Sequence, residues 1–187
     1  LAVEEAGGPE ICAFLDMLAH AEIGDALLAK SDDGYNVLVG STAAHPNLFT
    51  SYDRHPAKFI ELRNLGIKSS AAGRYQILFR TVVGLATRLH VTDFKPETQD
   101  RCAIELICGR GALDYVKTGR IELAITTCSK EWASLPGAGY GQPERALSDL
   151  LGAYHTALPK YRQADFSNVE SGVDSTATKV NATKVNP

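Results

Sequence analysis

The sequence is poor in the features that mark a membrane protein, a metalloenzyme or a nucleotide binder. No run approaches the roughly 18 apolar residues of a bilayer-spanning helix, so stable membrane insertion is not expected. Residues 1–10 lack the charged start and apolar centre of an intact signal peptide, and position 1 is Leu rather than Met. The four cysteines, Cys12, Cys102, Cys108 and Cys128, form no C-x-x-C, and no Cys/His spacing suggests zinc. The histidines at 20, 45, 55, 90 and 155 make no H-x-x-x-H or H-E-x-x-H, so neither a metal nor any other cofactor is expected. Gly137, Gly139 and Gly141 give G-x-G-x-G, not G-x-G-x-x-G. No strand precedes them and no Gly-Lys-Ser/Thr occurs, so a nucleotide loop is a poor reading. A formal net charge of −3 argues against a dedicated nucleic-acid binder.

What is present is enough for one domain. The chain has 187 residues, of which 44% are hydrophobic. Cys12 and Cys102 stand among apolar neighbours and read as buried free thiols of a chain made in a reducing compartment. The expected domain spans 1–159. From 160 to 187 Ser, Thr, Asn, Lys and Val dominate, Ala-Thr-Lys-Val-Asn occurs twice, and a flexible tail is expected.

Gly8-Pro9 opens a first helix whose Ile11, Phe14, Leu15 and Leu18 share one face. At about 100° per residue, Glu22 falls only about 20° from Ile11, in line with that apolar stripe. A charge there is costly, so the carboxyl either has a purpose or faces solvent at a helix end. Tyr35–Val39 and Leu48–Thr50 are short, β-branched or aromatic pieces that suggest a small antiparallel hairpin. Helices are then expected over 53–66, 75–90, 95–108, 112–117, 120–132 and 143–158, with loops at 68–74 and 135–142. Trp132, the only tryptophan, reads as a core residue at a helix end. The architecture is thus mostly helical, with one small β lobe after the first helix.

Several motifs, in order, resemble the phage lambda lysozyme family. They are Phe14-Leu15-Asp16-Met17-Leu18-Ala19 before Glu22, Gly34-Tyr35 with 37–40, and Leu48-Phe49-Thr50 with His55-Pro56. Ala72-Gly73-Arg74-Tyr75-Gln76 and the nine residues from Ser134 to Gln142 complete the set. The resemblance covers roughly residues 11–158 and implies an α+β, lysozyme-like fold. It also implies a phage endolysin that acts on peptidoglycan glycan strands as a lytic transglycosylase. The chain departs from the family at His20-Ala21, at Ile23 between Glu22 and Gly24, and in a longer 41–47 segment. The resemblance further implies synthesis in the bacterial host cytoplasm, passage through a holin-type pore to the wall, and action as a monomer.

Glycosidic cleavage needs an acid that stays protonated near neutral pH. Glu22 has the apolar setting that raises a carboxyl pKa. A hydrolase would add a second carboxylate about 5–9.5 Å away. Asp25, Asp32, Asp33 and Asp53 are available, but each reads as a turn or cap residue. A lytic transglycosylase does without one, because the muramoyl 6-hydroxyl attacks the anomeric carbon and one carboxyl serves as acid and then base. A hydrolytic muramidase, and a non-catalytic glycan-binding protein on the same scaffold, are the rival readings.

For substrate binding the candidates are Tyr35, Val37, Ser70, Tyr75, Gln76, Gly139, Tyr140 and Gln142. Ser70 and Gln76 lie near a helix start, where backbone N–H groups are free. Tyr75 also reads as a core ring. Glycines around Tyr140 let the backbone approach a ligand while the ring packs on a sugar face. Arg74 is expected to pair with a carboxylate and hold its loop. His20 lies two positions from Glu22 on a helix and does not face it.

Overall fold

A computed structural model describes residues 1–173, with the backbone alone at 64 and 164–173. A short α1 (Val3–Ala6) leads into α2 (Pro9–Glu22), the centre of the molecule. Pro9 occupies the start of α2, where its missing N–H costs nothing. The stripe of Ile11, Phe14, Leu15 and Leu18 is buried as its spacing predicts. Cys12, Ala13, Met17, Ala19 and Ala21 are buried as well, so α2 is enclosed on nearly every side. Fully burying a side chain such as Phe14 contributes about 1.5–3 kcal/mol.

A short α3 (Asp25–Leu28) follows, and then the β lobe. The expected pairing of Tyr35–Val39 with Leu48–Thr50 forms, but only as a single antiparallel bridge, Val37 to Leu48. Flanking bonds run from Leu38 N–H to Asn47 O and from Phe49 N–H to Asn36 O, each 2.9 Å. The regular hairpin lies further on, where a helix over 53–66 was expected. Here β1 (Ile60–Leu62) pairs with β2 (Ile67–Ser69) through a 3₁₀ turn at Arg63–Leu65. The physical reason is alternation: Ile60 and Leu62 are half-buried while Glu61 between them is exposed, a period of two. Gly66 ends the turn in the left-handed conformation.

The helix expected from Tyr75 begins instead at Phe79, as α4 (Phe79–Leu89). Gln76 is left-handed (φ 47°), and Ile77 bridges back to Ala72 in a tight turn. The remaining helices are α5 (Pro96–Gly109), α6 (Leu113–Lys117), α7 (Ile121–Cys128) and α8 (Leu147–Val173). Helix α7 stops short of the expected Trp132.

The last helix also overturns an expected boundary. It was to end at Leu158, yet it runs through Pro159 to Val173. An interior proline removes one helical hydrogen bond and costs about 3 kcal/mol. Packing offsets this: Leu150, Tyr154, Ala157 and Leu158 are buried in the core shared with α2. Beyond the proline, Tyr161 OH donates to Asp16 (2.9 Å) and Arg162 to Glu10 (3.0 Å), both acceptors on α2. Residues 174–187, where the rest of the expected tail falls, lie outside the described residues. Among the described residues no helix is long and apolar enough to cross a membrane.

Two side chains of α5 fasten the β lobe to the helices. Gln99 accepts the Arg74 N–H (2.9 Å) and donates to the carbonyls of Tyr35 (3.0 Å) and Phe94 (2.9 Å). Asp100 accepts from Tyr35 OH (2.9 Å), Tyr75 OH (2.6 Å) and the Leu1 amino group (2.8 Å). A Cβ at Gly73, whose φ is +78°, would stand 2.0 Å from the Gln99 amide oxygen, so the turn admits only glycine there.

Candidate active site

Glu22 is the last residue of α2. The helix is ended by Ile23 and Gly24, whose N–H groups bond back to Ala19 (2.9 Å) and His20 (3.0 Å). The Ile23 side chain turns toward Gly34. The guanidinium of Arg145 closes the helix end, donating to the carbonyls of Ala21 (3.2 Å) and His20 (3.3 Å). A cation suits this negative end of the helix dipole. The Arg145 backbone N–H also bonds Ser134 O at 2.7 Å. Ser134 in turn donates its hydroxyl to Glu22 Oε1 at 2.5 Å.

The Glu22 side chain is open only toward the cleft, and its carboxyl lies deep among protein atoms. That burial pushes its pKa up to about 7. The Ser134 hydrogen bonds and the Arg145 charge pull the other way without cancelling it. Such a group keeps a proton near neutrality and can deliver it to a bound oxygen.

The cleft has a volume of about 410 Å³ and is lined by Glu22, the β lobe, α4 and the segment from Lys130 to Gln142. The hairpin contributes Leu62, Ile67 and Ser69. The far wall is a built loop. Gly137 and Gly139, both left-handed, aim their N–H groups at the Glu144 carboxylate (2.8 Å each) and hold its pKa below the usual range. Lys130 donates to the carbonyls of Gly137 (3.0 Å) and Ala138 (2.8 Å). Tyr140 OH donates to Lys130 O (2.9 Å), which leaves its ring 55% exposed at the cleft.

The expected site residues separate into two groups. Glu22, Gln76, Tyr140 and Gln142 line the cleft together. Tyr35, Val37, Ser70, Tyr75 and Gly139 do not. Val37 and Tyr75 are buried, and both tyrosine hydroxyls are spent on Asp100. Ser70 Oγ accepts the Phe79 N–H (3.2 Å) at the start of α4. Trp132 is buried as expected, bonds Tyr75 O through its indole N–H (3.1 Å), and still forms part of the cleft floor.

Arg74 pairs with Asp16 (2.7 Å) and with Asp33, as its loop required. His20 turns away from Glu22 to Asp25 (2.8 Å) and Asp149 (3.1 Å). Burial lowers its pKa, but these two partners outweigh burial and raise it.

Sequence reasoning missed Ser134 and Arg145, the two groups in touch with Glu22 or its helix end. It also missed the Arg110–Glu131 pair (2.7 Å), which stands in the cleft wall. Ser134 lay within a motif already singled out, which was the one available signal. None of Asp25, Asp32, Asp33 and Asp53 lines the cleft. They bond His20, Tyr52, Arg74 and Ser51 instead. A larger hollow of about 1060 Å³ lies beside α3 and α8, away from Glu22. Among the described residues no group of three or more His, Cys, Asp and Glu is placed to hold a metal ion. All four cysteines are free thiols, and burial pushes Cys12 and Cys102 up to about 11, which keeps them unreactive.

A half-buried glutamate with a raised pKa at a helix end, facing a cleft between a helical body and a small β lobe, defines a lysozyme-type glycan-cleaving enzyme. The endolysin family profile matches residues 12–160, and the chain belongs to that family. It is 46% identical over 153 residues to the endolysin of Escherichia phage P2, covering 79% of this chain and 92% of that protein. It is 44% identical over 154 residues to the endolysin of Escherichia phage lambda, covering 82% and 94%. The structure of bacteriophage lambda lysozyme complexed with a chitohexasaccharide superposes with a TM-score of 0.74 at 41% identity, covering 80% of this chain and 94% of that one. The protein is accordingly a peptidoglycan-cleaving enzyme that lyses the bacterial host.

Proposed function

We propose that the enzyme cleaves the MurNAc–GlcNAc β-1,4 bond by lytic transglycosylation, with Glu22 as its single acid and base. Glu22 first gives its proton to the leaving GlcNAc oxygen as the bond to the muramoyl anomeric carbon breaks. The carboxylate then takes the proton of the muramoyl 6-hydroxyl as that oxygen bonds the same carbon. A 1,6-anhydro end forms, no water is consumed, and Glu22 recovers its proton. The observation that carries this reading is the lack of a free second carboxylate. Among the described residues lining the cleft, Glu131 is the only other acid, and Arg110 engages it. An inverting or retaining hydrolase would need that second group at work.

Gln76, Tyr140 and Gln142 serve in this reading as sugar contacts. Tyr35, Val37, Ser70, Tyr75 and Gly139 hold the walls that carry them. The enzyme acts as a monomer, is made in the host cytoplasm and reaches the wall through a holin-type pore. Mass spectrometry of digested peptidoglycan tests the chemistry. Muropeptides ending in 1,6-anhydromuramic acid, lighter by one water, are expected. Reducing ends alone would overturn the proposal in favour of hydrolysis.

A further inference from the structure

The charges that line the cleft do not balance. They are Glu22, Glu131, Arg80, Arg110 and Lys130. Glu22 carries only part of a negative charge near neutrality, because burial pushes its pKa up to about 7, and Glu131 is cancelled by Arg110. Two positive charges remain in a chain whose formal charge is −3. Lys130 is committed to the carbonyls of Gly137 and Ala138. Arg80 has no hydrogen-bond or ion-pair partner among the described residues.

Arg80 is also awkwardly placed for stability. It is the second residue of α4, at the positive end of the helix dipole, where a cation costs roughly 0.3–1 kcal/mol. The other N–H groups of that first turn are taken. Phe79 N–H bonds Ser70 Oγ, and those of Thr81 and Val82 bond Leu78 O. The Arg80 N–H has no protein acceptor among the described residues. Arg80, whose backbone N–H is free among the described residues, and Thr81 thus line one stretch of the cleft wall. A guanidinium fork matches a carboxylate with two parallel hydrogen bonds.

We propose that Arg80 builds a carboxylate-binding subsite in the cleft, which engages an acidic group carried by the muramoyl residues of the substrate. The sugar rings of the glycan are uncharged, so they offer Arg80 only neutral acceptors and no opposite charge to pair with. A muramoyl residue offers a carboxylate from one of two sources. One is its own lactyl group where no peptide is attached. The other is an acidic residue of the attached stem peptide. The inference rests on peptidoglycan as the substrate, and it holds whether the anomeric carbon goes on to a 6-hydroxyl or to water.

The test compares wild type with Arg80→Gln and Arg80→Lys on three glycans. These are peptide-bearing peptidoglycan fragments, amidase-stripped strands with free lactyl groups, and a chitooligosaccharide with no carboxylate. Calorimetry reads affinity and, on the first two, product release reads kcat/KM. Arg80→Gln is expected to lose roughly tenfold or more wherever the recognised carboxylate is present. On the chitooligosaccharide it should change less than about twofold, and Arg80→Lys should restore part of the loss. Loss on peptide-bearing fragments alone assigns the stem peptide, and loss on stripped strands assigns the lactyl group. An equal loss on all three glycans, or no loss on either carboxylate-bearing one, overturns the proposal. Product structure is unaffected by Arg80, so a failed transglycosylation reading would show separately, as reducing ends from every variant.

Discussion

At the scale of single residues, the chemistry of Glu22 is inseparable from its cost to stability. Its folded pKa of about 7 stands above the ordinary value of 4.5. A carboxyl with a raised folded pKa binds its proton more tightly in the native state. Its stabilising contribution is therefore complete below about pH 4.5 and is lost as pH rises through 7. The shift corresponds to about 3 kcal/mol once the group is fully ionised. Glu22→Gln should then raise Tm relative to wild type by an amount that grows between pH 4 and pH 8, measured by thermal unfolding. The same variant should lose at least about a hundredfold in wall-clearing rate. In the wild type, kcat/KM should fall on the alkaline side with an apparent pKa near 7. Glu22 was legible in the sequence because eleven positions bring it almost back onto the apolar stripe. Ser134 and Arg145 were not, because they reach Glu22 and the neighbouring Ala21 carbonyl across 112 and 124 positions. No local pattern encodes such a meeting.

At the scale of elements, legibility followed the strength of the period. The helix α2 was evident from its 3.6-residue spacing and its opening proline. Strand β1 was read as helix and most of β2 as loop, since each strand has three residues, too few for alternation to stand out. Tyr75–Leu78 was joined to α4, although the bond from Tyr75 OH to Asp100 and the mutual backbone bonds of Ala72 and Ile77 hold that stretch in a turn. Gly73→Ala, at the start of this turn, should cost about 3 kcal/mol in urea unfolding, because its methyl would collide with Gln99. Arg145 links the end of α2 to the segment bearing Ser134. Arg145→Gln should loosen both and remove a nearby positive charge. The expected result is a kcat lowered by up to about a hundredfold, with the alkaline limb of the pH profile moved upward. Arg145→Lys should return the limb toward its wild-type position.

At the scale of the whole molecule, α8 decides where the folded unit ends. Composition changes after Pro159, and the sequence marks a boundary there. The backbone continues because one face of α8 is committed to α2 on both sides of the proline. We propose that residues 1–159 hold everything catalysis needs, and that 160–163 add stability alone. Truncation after Pro159 should lower unfolding free energy by about 1.5–3 kcal/mol relative to truncation after Gln163, through loss of the Tyr161–Asp16 bond. Activity per folded molecule should be equal in the two. A shorter form that folds but does not cleave would refute the boundary.

The fastening of the β lobe has a further consequence, for how the protein comes apart. Between residues 35 and 50 the lobe has two isolated antiparallel bridges, Val37 to Leu48 and Leu38 to Ala72, and no regular ladder of its own among the described residues. The Tyr35 and Tyr75 hydroxyls, the Tyr35 carbonyl and the Arg74 N–H are instead held by a glutamine and an aspartate that stand side by side on α5. The lobe therefore has no independent route to opening that leaves those two side chains satisfied. Hydrogen exchange of its protected amides, such as Leu38, Phe49 and Gly73, should proceed at the rate of α5 and not at that of a surface loop. The two walls of the cleft would then be lost and regained in a single cooperative event.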